Sequence, residues 1–263
     1  MTLEVVLVEP AGPLNVGSVA RLCANFGVDG LRLVAPRCDP LGEEARRMAV
    51  HGVGLLEQAP CFTSLEAALA DCDRVVAATG RGEGEPLPLC RPEQALGWLL
   101  DGATDCRRAL VFGREDRGLS NDELLRAGRL LQIGTAPAYA SLNLSHAVAV
   151  VLHGLHTLRE AADASAGQPV VAAPTDPLFH RITPQGWPEP CRRDALEAAL
   201  HDAEALLLEV GFLLPHTRRA RMAKVRALLQ RAQVSEAEVA LLRGMVCQLR
   251  WASRRQRSSE SDL

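Results

Sequence analysis

Residues 8–21 of the chain run VEPAGPLNVGSVAR. An apolar stretch at 5–8 stops at Glu9-Pro10, small residues follow, and a helical pattern starts at Val16. Strand, small-residue turn and helix open many ligand-binding sheets, whose ligands sit at the carboxyl ends of the strands. The glycines do not fit a dinucleotide fingerprint: Gly12 and Gly17 are five apart, whereas that turn needs glycines at three fixed places. At 100° per residue, Val16, Val19, Ala20, Cys23 and Ala24 make one apolar stripe for the core, while Ser18, Arg21 and Asn25 point away. Gly17 lies between, leaving space beside the backbone. Arg21 is therefore expected on an open face near the sheet's carboxyl edge, where a guanidinium offers a planar fork to a phosphate. The plain alternative is an ordinary surface arginine.

Further unbroken apolar runs lie at 31–34, 75–78, 109–112 and 130–133, with helical patterns between them at 64–70 and 92–100. Short apolar strands alternating with helices predict an α/β fold with a parallel sheet covered on both faces. A long helix at about 144–160, apolar nearly all round at first, is expected to be buried. Residues 161–178, rich in Ala, Pro and Gly, have the texture of a linker. Three helical patterns follow at 194–210, 217–232 and 235–251. Ser235 and Glu238 form a capping box for the last. The predicted organisation is an α/β domain over 1–160, a linker over 161–178 and a small all-helical domain over 179–263 with a disordered tail.

The composition excludes several classes. The 263 residues carry 48% hydrophobic but only 3% aromatic side chains, so Leu, Val and Ala must fill the core. No apolar run reaches 18 residues, so no membrane span is expected. The N-terminus lacks the basic flank of a signal peptide. Eight scattered cysteines form no CxxC pair, which favours reduced thiols of a cytoplasmic protein over metal or disulfides. The net charge of -3 gives no hint of nucleic acid, but residues 214–257 hold eleven Arg or Lys against two Glu. Such a run is either a phosphate-binding surface or a solvated helix face.

Two more stretches carry possible chemistry. In LVFGREDRGLSNDEL (110–124), Gly113 ends a strand, a charged triplet of Arg114, Glu115 and Asp116 follows, and Ser120 with Glu123 makes another capping box. In SLNLSHAVAVVL (141–152), Ser141, Asn143 and Ser145 cluster at the start of the long helix, more than capping requires.

Taken in order, PLNVGSVARLCANFGV (13–28), LVFGREDRGLSNDEL and SLNLSHAVAVVL resemble the three signature motifs of the SpoU/TrmH family of RNA ribose 2'-O-methyltransferases. The resemblance covers about residues 1–160. The helical part, with LLLEVGFLLPHTRRARMAKVRALLQRA and LLRGMVCQLRW, resembles the TrmJ branch, which methylates tRNA at nucleotide 32 of the anticodon loop. The resemblance implies a SPOUT-type parallel sheet with a C-terminal trefoil knot, a homodimer, tRNA as partner and S-adenosylmethionine as cofactor. It assigns catalytic roles to Asn15, Arg21, Glu115, Ser141 and Asn143. It assigns the cofactor to Thr79, Gly80, Arg81, Gly113, Ile133, Ala140, Ser141 and Leu142, with no metal. Arg81 has an alternative role as an RNA contact, because AATGRGEG (77–84) is shorter and richer in glycine than the usual loop. Gly12-Pro13-Leu14 also departs from the commoner Pro-Gly before Asn15. His146, His153 and His156 are expected to serve packing or an interface. Other readings are the same chemistry on ribosomal RNA, a non-catalytic RNA-binding homologue, and an oxidoreductase, which the glycine spacing disfavours.

Overall fold

The computed structural model describes residues 2–80, 87, 89–101, 105–136, 138, 141–166 and 190–260. Seven strands form one parallel sheet: β1 (Thr2–Val8), β2 (Gly30–Val34), β3 (Cys61–Phe62), β4 (Arg74–Ala78), β5 (Leu89–Cys90), β6 (Arg107–Phe112) and β7 (Arg129–Leu131). Their order is β3-β2-β1-β6-β4-β7-β5. The five apolar runs are the five central strands. β3 and β5 have two residues each, too short for a periodic signal.

The apolar runs are unbroken because both sheet faces are buried. In β1, Leu3, Val5 and Leu7 enter one core and Val6 and Val8 the other; in β6, Leu110 and Phe112 divide likewise from Ala109 and Val111. The first core is closed by α1 (Pro13–Asn25), α2 (Glu43–Ala49), α3 (Val53–Gln58), α5 (Pro92–Leu100) and α7 (Leu144–Ala166). The second is closed by α4 (Leu65–Leu69) and α6 (Asn121–Leu124). Glu4, the acid within β1, is buried and paired with Arg32 at 3.4 Å and Arg107 at 3.3 Å.

Three expectations are corrected. Ala24 is exposed, so the buried stripe of α1 stops at Cys23. The space at Gly17 is filled: a Cβ there would overlap the Ala45 carbonyl and lie 2.9 Å from Met48 Cβ, so glycine lets α2 touch α1. Helix α7 buries one face only, through Leu144, Val148, Val151, Leu152 and Leu155, while His146, Val150, His153 and His156 are exposed in the single chain.

Helices α8 (Arg193–Glu209), α9 (Arg218–Ala232) and α10 (Glu236–Glu260) build a third core around Leu196, Leu200, Met222 and Val239. The Ser235–Glu238 capping box starts α10, which continues through the expected disordered tail to Glu260. Residues 167–178 of the expected linker fall outside the described residues, and 161–166 belong to α7. The helical part rests on the sheet through Ala227, which joins the second core, and through Gln230 Nε2, which donates to the Leu125 carbonyl at 3.3 Å.

Candidate active site at the carboxyl edge of the sheet

The three polar stretches meet where β1, β4, β6 and β7 end. Strand β1 leads through Glu9, at φ +47°, into α1. Strand β6 ends at Phe112, and Gly113 packs against the returning backbone at Gly118 and Leu119 too closely for any side chain. That contact folds the 113–118 loop back on itself, with Arg114 and Gly118 bridged. Glu115 is thereby aimed at the start of α1. Its carboxylate accepts from the Ala11 and Gly12 N–H groups, both at 3.0 Å, and from Asn15 Nδ2 at 3.1 Å. Asn143 Nδ2 donates to Asn15 Oδ1 at 3.1 Å. Asn143 Oδ1 in turn accepts from the Ser145 N–H at 2.9 Å and the Ser145 hydroxyl at 2.8 Å, capping α7.

One chain of hydrogen bonds thus joins the three stretches. Burial pushes the Glu115 carboxyl up, but the Ala11 N–H, the Asn15 amide and the Gly12 N–H outweigh it and hold the group below the ordinary carboxylate range. It is an ionised anchor rather than a proton carrier. Burial and the Glu115 charge push the neighbouring Cys38 thiol up, away from thiolate chemistry.

Arg21 stands apart. It lies six residues beyond Asn15 on α1, about 9 Å along the axis and on another side of the helix. Its side chain is exposed, with no hydrogen bond or ion pair among the described residues. Asn15 therefore orients Glu115 and Asn143, not Arg21.

Beside the hydrogen-bond chain lies a cleft of about 350 Å³. Thr79 and Gly80 line it after β4, Gly113 and Glu115 after β6, Ile133 after β7, and Ser141 and Leu142 before α7. Six of the residues assigned to a cofactor are thus brought together, and Arg81 and Ala140 lie outside the described residues. Sequence reasoning missed Glu9 and undervalued Arg114 and Arg117. Arg114 Nη1 binds Glu9 at 2.9 Å and its guanidinium holds Asp116 at 2.6 Å; Arg117 binds Glu9 at 3.3 Å and Glu123 at 3.2 Å. An acid directly after a buried strand was the available signal. Among the described residues, no group of three or more His, Cys, Asp or Glu side chains is placed to hold a metal ion.

The model of the SpoU rRNA methylase family matches residues 2–153, and that of the TrmJ tRNA methyltransferase C-terminal domain matches 194–261. The chain belongs to the SpoU methylase family. A Pseudomonas aeruginosa protein named tRNA (cytidine/uridine/adenosine-2'-O-)-methyltransferase TrmJ is 32% identical over 96% of this chain and 95% of its own length. A Methanocaldococcus jannaschii tRNA (cytidine-2'-O-)-methyltransferase TrmJ is 36% identical over 59% of this chain and 67% of its own. The crystal structure of TrmJ from Z. mobilis superposes with a TM-score of 0.78 at 28% identity, covering 95% of this chain and 99% of that one. In this SpoU-family chain, all three joined stretches fall inside the first matched span.

The basic run is less open than its composition promised. Arg218 pairs with Glu204, Arg219 with Asp122, Arg226 with Glu197, Arg243 with Asp202, and Arg250 and Arg254 with Glu209. The acids of α8 and α6 neutralise what the local count of 214–257 omitted. Lys224 and Arg231 remain exposed, with no ion pair among the described residues. No helix among the described residues is long and apolar enough to cross a membrane.

Proposed function

We propose that this chain is a tRNA ribose 2'-O-methyltransferase acting on nucleotide 32 of the anticodon loop, with S-adenosylmethionine as methyl donor. The supporting observation is the Glu115–Asn15–Asn143 chain, which locks the three signature stretches around one cleft. The full-length likeness to TrmJ proteins and the matched C-terminal domain favour tRNA over ribosomal RNA.

The cleft suits this cofactor. Its walls are loop ends rich in small residues, so backbone N–H and C=O groups are accessible to a base edge, and Leu131, Leu142 and Leu144 supply apolar surface. The bound cofactor supplies an activated methyl group on a sulfonium. Thr79, Gly80, Gly113, Ile133, Ser141 and Leu142 are assigned to holding it, with Arg81 and Ala140 as the two assigned positions still without a geometry. Holding donor and acceptor in line lowers the barrier by several kcal/mol without any acid or base.

Arg21 is assigned to the ribose side. A guanidinium stays protonated in proteins, so its part is to bind a phosphate and orient the 2'-hydroxyl, whose proton is released to water when the methyl is transferred. Glu115 and Asn15 hold the turn that carries α1, Ser141 lines the cleft, and Asn143, bonded to Asn15, is assigned to the side of the target. A homodimer belongs to the same proposal: Arg21, exposed and without a hydrogen bond or ion pair among the described residues of one protomer, would be completed by the partner, and the exposed α7 histidines suit an interface. The C-terminal trefoil knot implied by the family resemblance and a cytoplasmic site of action complete it.

The test is a methyl-transfer assay with tRNA for the wild type and for Arg21→Ala. Loss of most turnover with cofactor binding retained supports the assignment, and unaltered turnover removes Arg21 from it.

A further inference from the structure

Glu9, the acid that follows β1, has φ +47°, a conformation that glycine meets with less strain than glutamate. Ala35 makes a similar turn after β2 at φ +42°, so the turn itself does not call for an acid. The Glu9 carboxylate spans two guanidiniums: Oε2 accepts from Arg114 Nη1 at 2.9 Å and Oε1 from Arg117 Nη2 at 3.3 Å. Arg114 commits its other donors, Nε and Nη2, to Asp116 at 2.8 and 2.6 Å, and Arg117 Nη1 donates to Glu123 at 3.2 Å. Arg114, Glu115, Asp116 and Arg117 line the cleft, and Glu9 ties down both arginines from outside that lining. The Glu9 and Arg114 side chains are 30% and 17% exposed, so solvent screens them only in part. The Arg114 guanidinium holds the Asp116 carboxyl below its ordinary range, so Asp116 is ionised beside it. At this lip the four carboxylates of Glu9, Glu115, Asp116 and Glu123 outnumber the two guanidiniums.

We propose that Glu9 is a positioning residue of the cleft. By occupying both arginines it offsets their charge and leaves the lip net negative, so the cleft favours a sulfonium cation over the neutral thioether that remains after methyl transfer. The inference rests on the cofactor assigned above. The methyl donor and its demethylated product share the adenosine and the amino-acid groups, and differ by one methyl and one positive charge at sulfur. Removing one negative charge from the lip therefore changes the two affinities unequally, whereas a loop that is merely loosened weakens both alike. The same preference lets the product leave more readily than the donor.

The test is calorimetric binding of S-adenosylmethionine and of S-adenosylhomocysteine to the full-length wild type, Glu9→Gln, Glu9→Asp and Asp116→Asn. Gln keeps the length of the side chain without its charge, and Asp keeps the charge on a shorter arm. Asp116 is exposed, so its variant removes a charge from the same lip without endangering the fold. In Glu9→Gln the preference for the methylated ligand is expected to fall about three- to tenfold, and Asp116→Asn should shift it the same way. Glu9→Asp should keep the wild-type ratio. The gap between Glu9→Gln and wild type should narrow as salt rises from about 0.05 M to about 1 M. An unchanged ratio in Glu9→Gln, with both ligands bound equally well or weakened equally, overturns the inference alone. A ratio lost as fully in Glu9→Asp as in Glu9→Gln overturns it too. A wild type that binds neither ligand overturns the cofactor assignment along with it.

Discussion

Asn15 uses both ends of its amide, donating a hydrogen bond to Glu115 and accepting one from Asn143. Asn15→Asp would set a second carboxylate about 3 Å from Glu115, and two like charges so close cannot both ionise without cost. Turnover is expected to fall at neutral pH and recover in part as the pH is lowered and one carboxyl takes up a proton; a flat, wild-type pH–rate profile would show the link to be dispensable. For the wild type the sign is opposite. Glu115 has its folded pKa lowered from an ordinary 4.5, so its stabilising contribution is fully present above that value and is lost as pH falls through the folded pKa. Glu115→Gln turns an amide N–H toward the backbone donors and is expected to cost about 1–3 kcal/mol. Its melting temperature, compared with wild type, should show a constant deficit from pH 8 to 5 that shrinks below pH 4.5. Arg21→Ala is expected to lower kcat on the order of 10²–10³-fold, by analogy with the loss of one transition-state donor. Its melting temperature should not move, because the side chain is exposed. Asn15, Glu115 and Asn143 were legible in sequence because they stand in three stretches that, in order and spacing, resemble a family's signature motifs. Their mutual contacts were not, since positions 100 and 128 residues apart meet only through the sheet order.

The strands were legible because burial on both faces writes an unbroken apolar run. The contact between α1 and α2 was not. Nothing in residues 43–58 announces that Ala45 lies against Gly17 and Gly52 against Ala20, whose carbonyl a Cβ on Gly52 would overlap. Gly17→Ala is therefore expected to destabilise the chain by roughly 1–3 kcal/mol through overpacking, read as a lowered melting temperature. A stability equal to wild type would mean that α2 is free to move off α1. Helix α7 misled for a different reason. Its composition is apolar all round, yet its neighbours cover only the side of Leu144, Val148, Leu152 and Leu155. Composition reports what a helix is able to bury, not what one chain supplies to bury it.

Over the whole molecule, charge counting along the sequence overstated the basic surface, because the compensating acids sit on α8 and at Asp122. This separates two kinds of arginine. Arg226, bound to the largely buried Glu197 at 2.6 Å, serves stability; Lys224 and Arg231, exposed on the same helix to either side of it, are available to phosphates. Arg226→Glu is expected to lower the melting temperature, whereas Lys224→Glu/Arg231→Glu should weaken tRNA binding, reduce its salt dependence and leave the melting temperature alone. Equal tRNA affinity in the latter variant would take α9 out of the RNA surface. The most direct test of the whole reading is methyl transfer from labelled S-adenosylmethionine to unmodified total tRNA, with the modified nucleotide mapped. A 2'-O-methyl group at nucleotide 32 of the anticodon loop is the expected result. Transfer to ribosomal RNA alone, or none to either RNA while the cofactor binds, would contradict it.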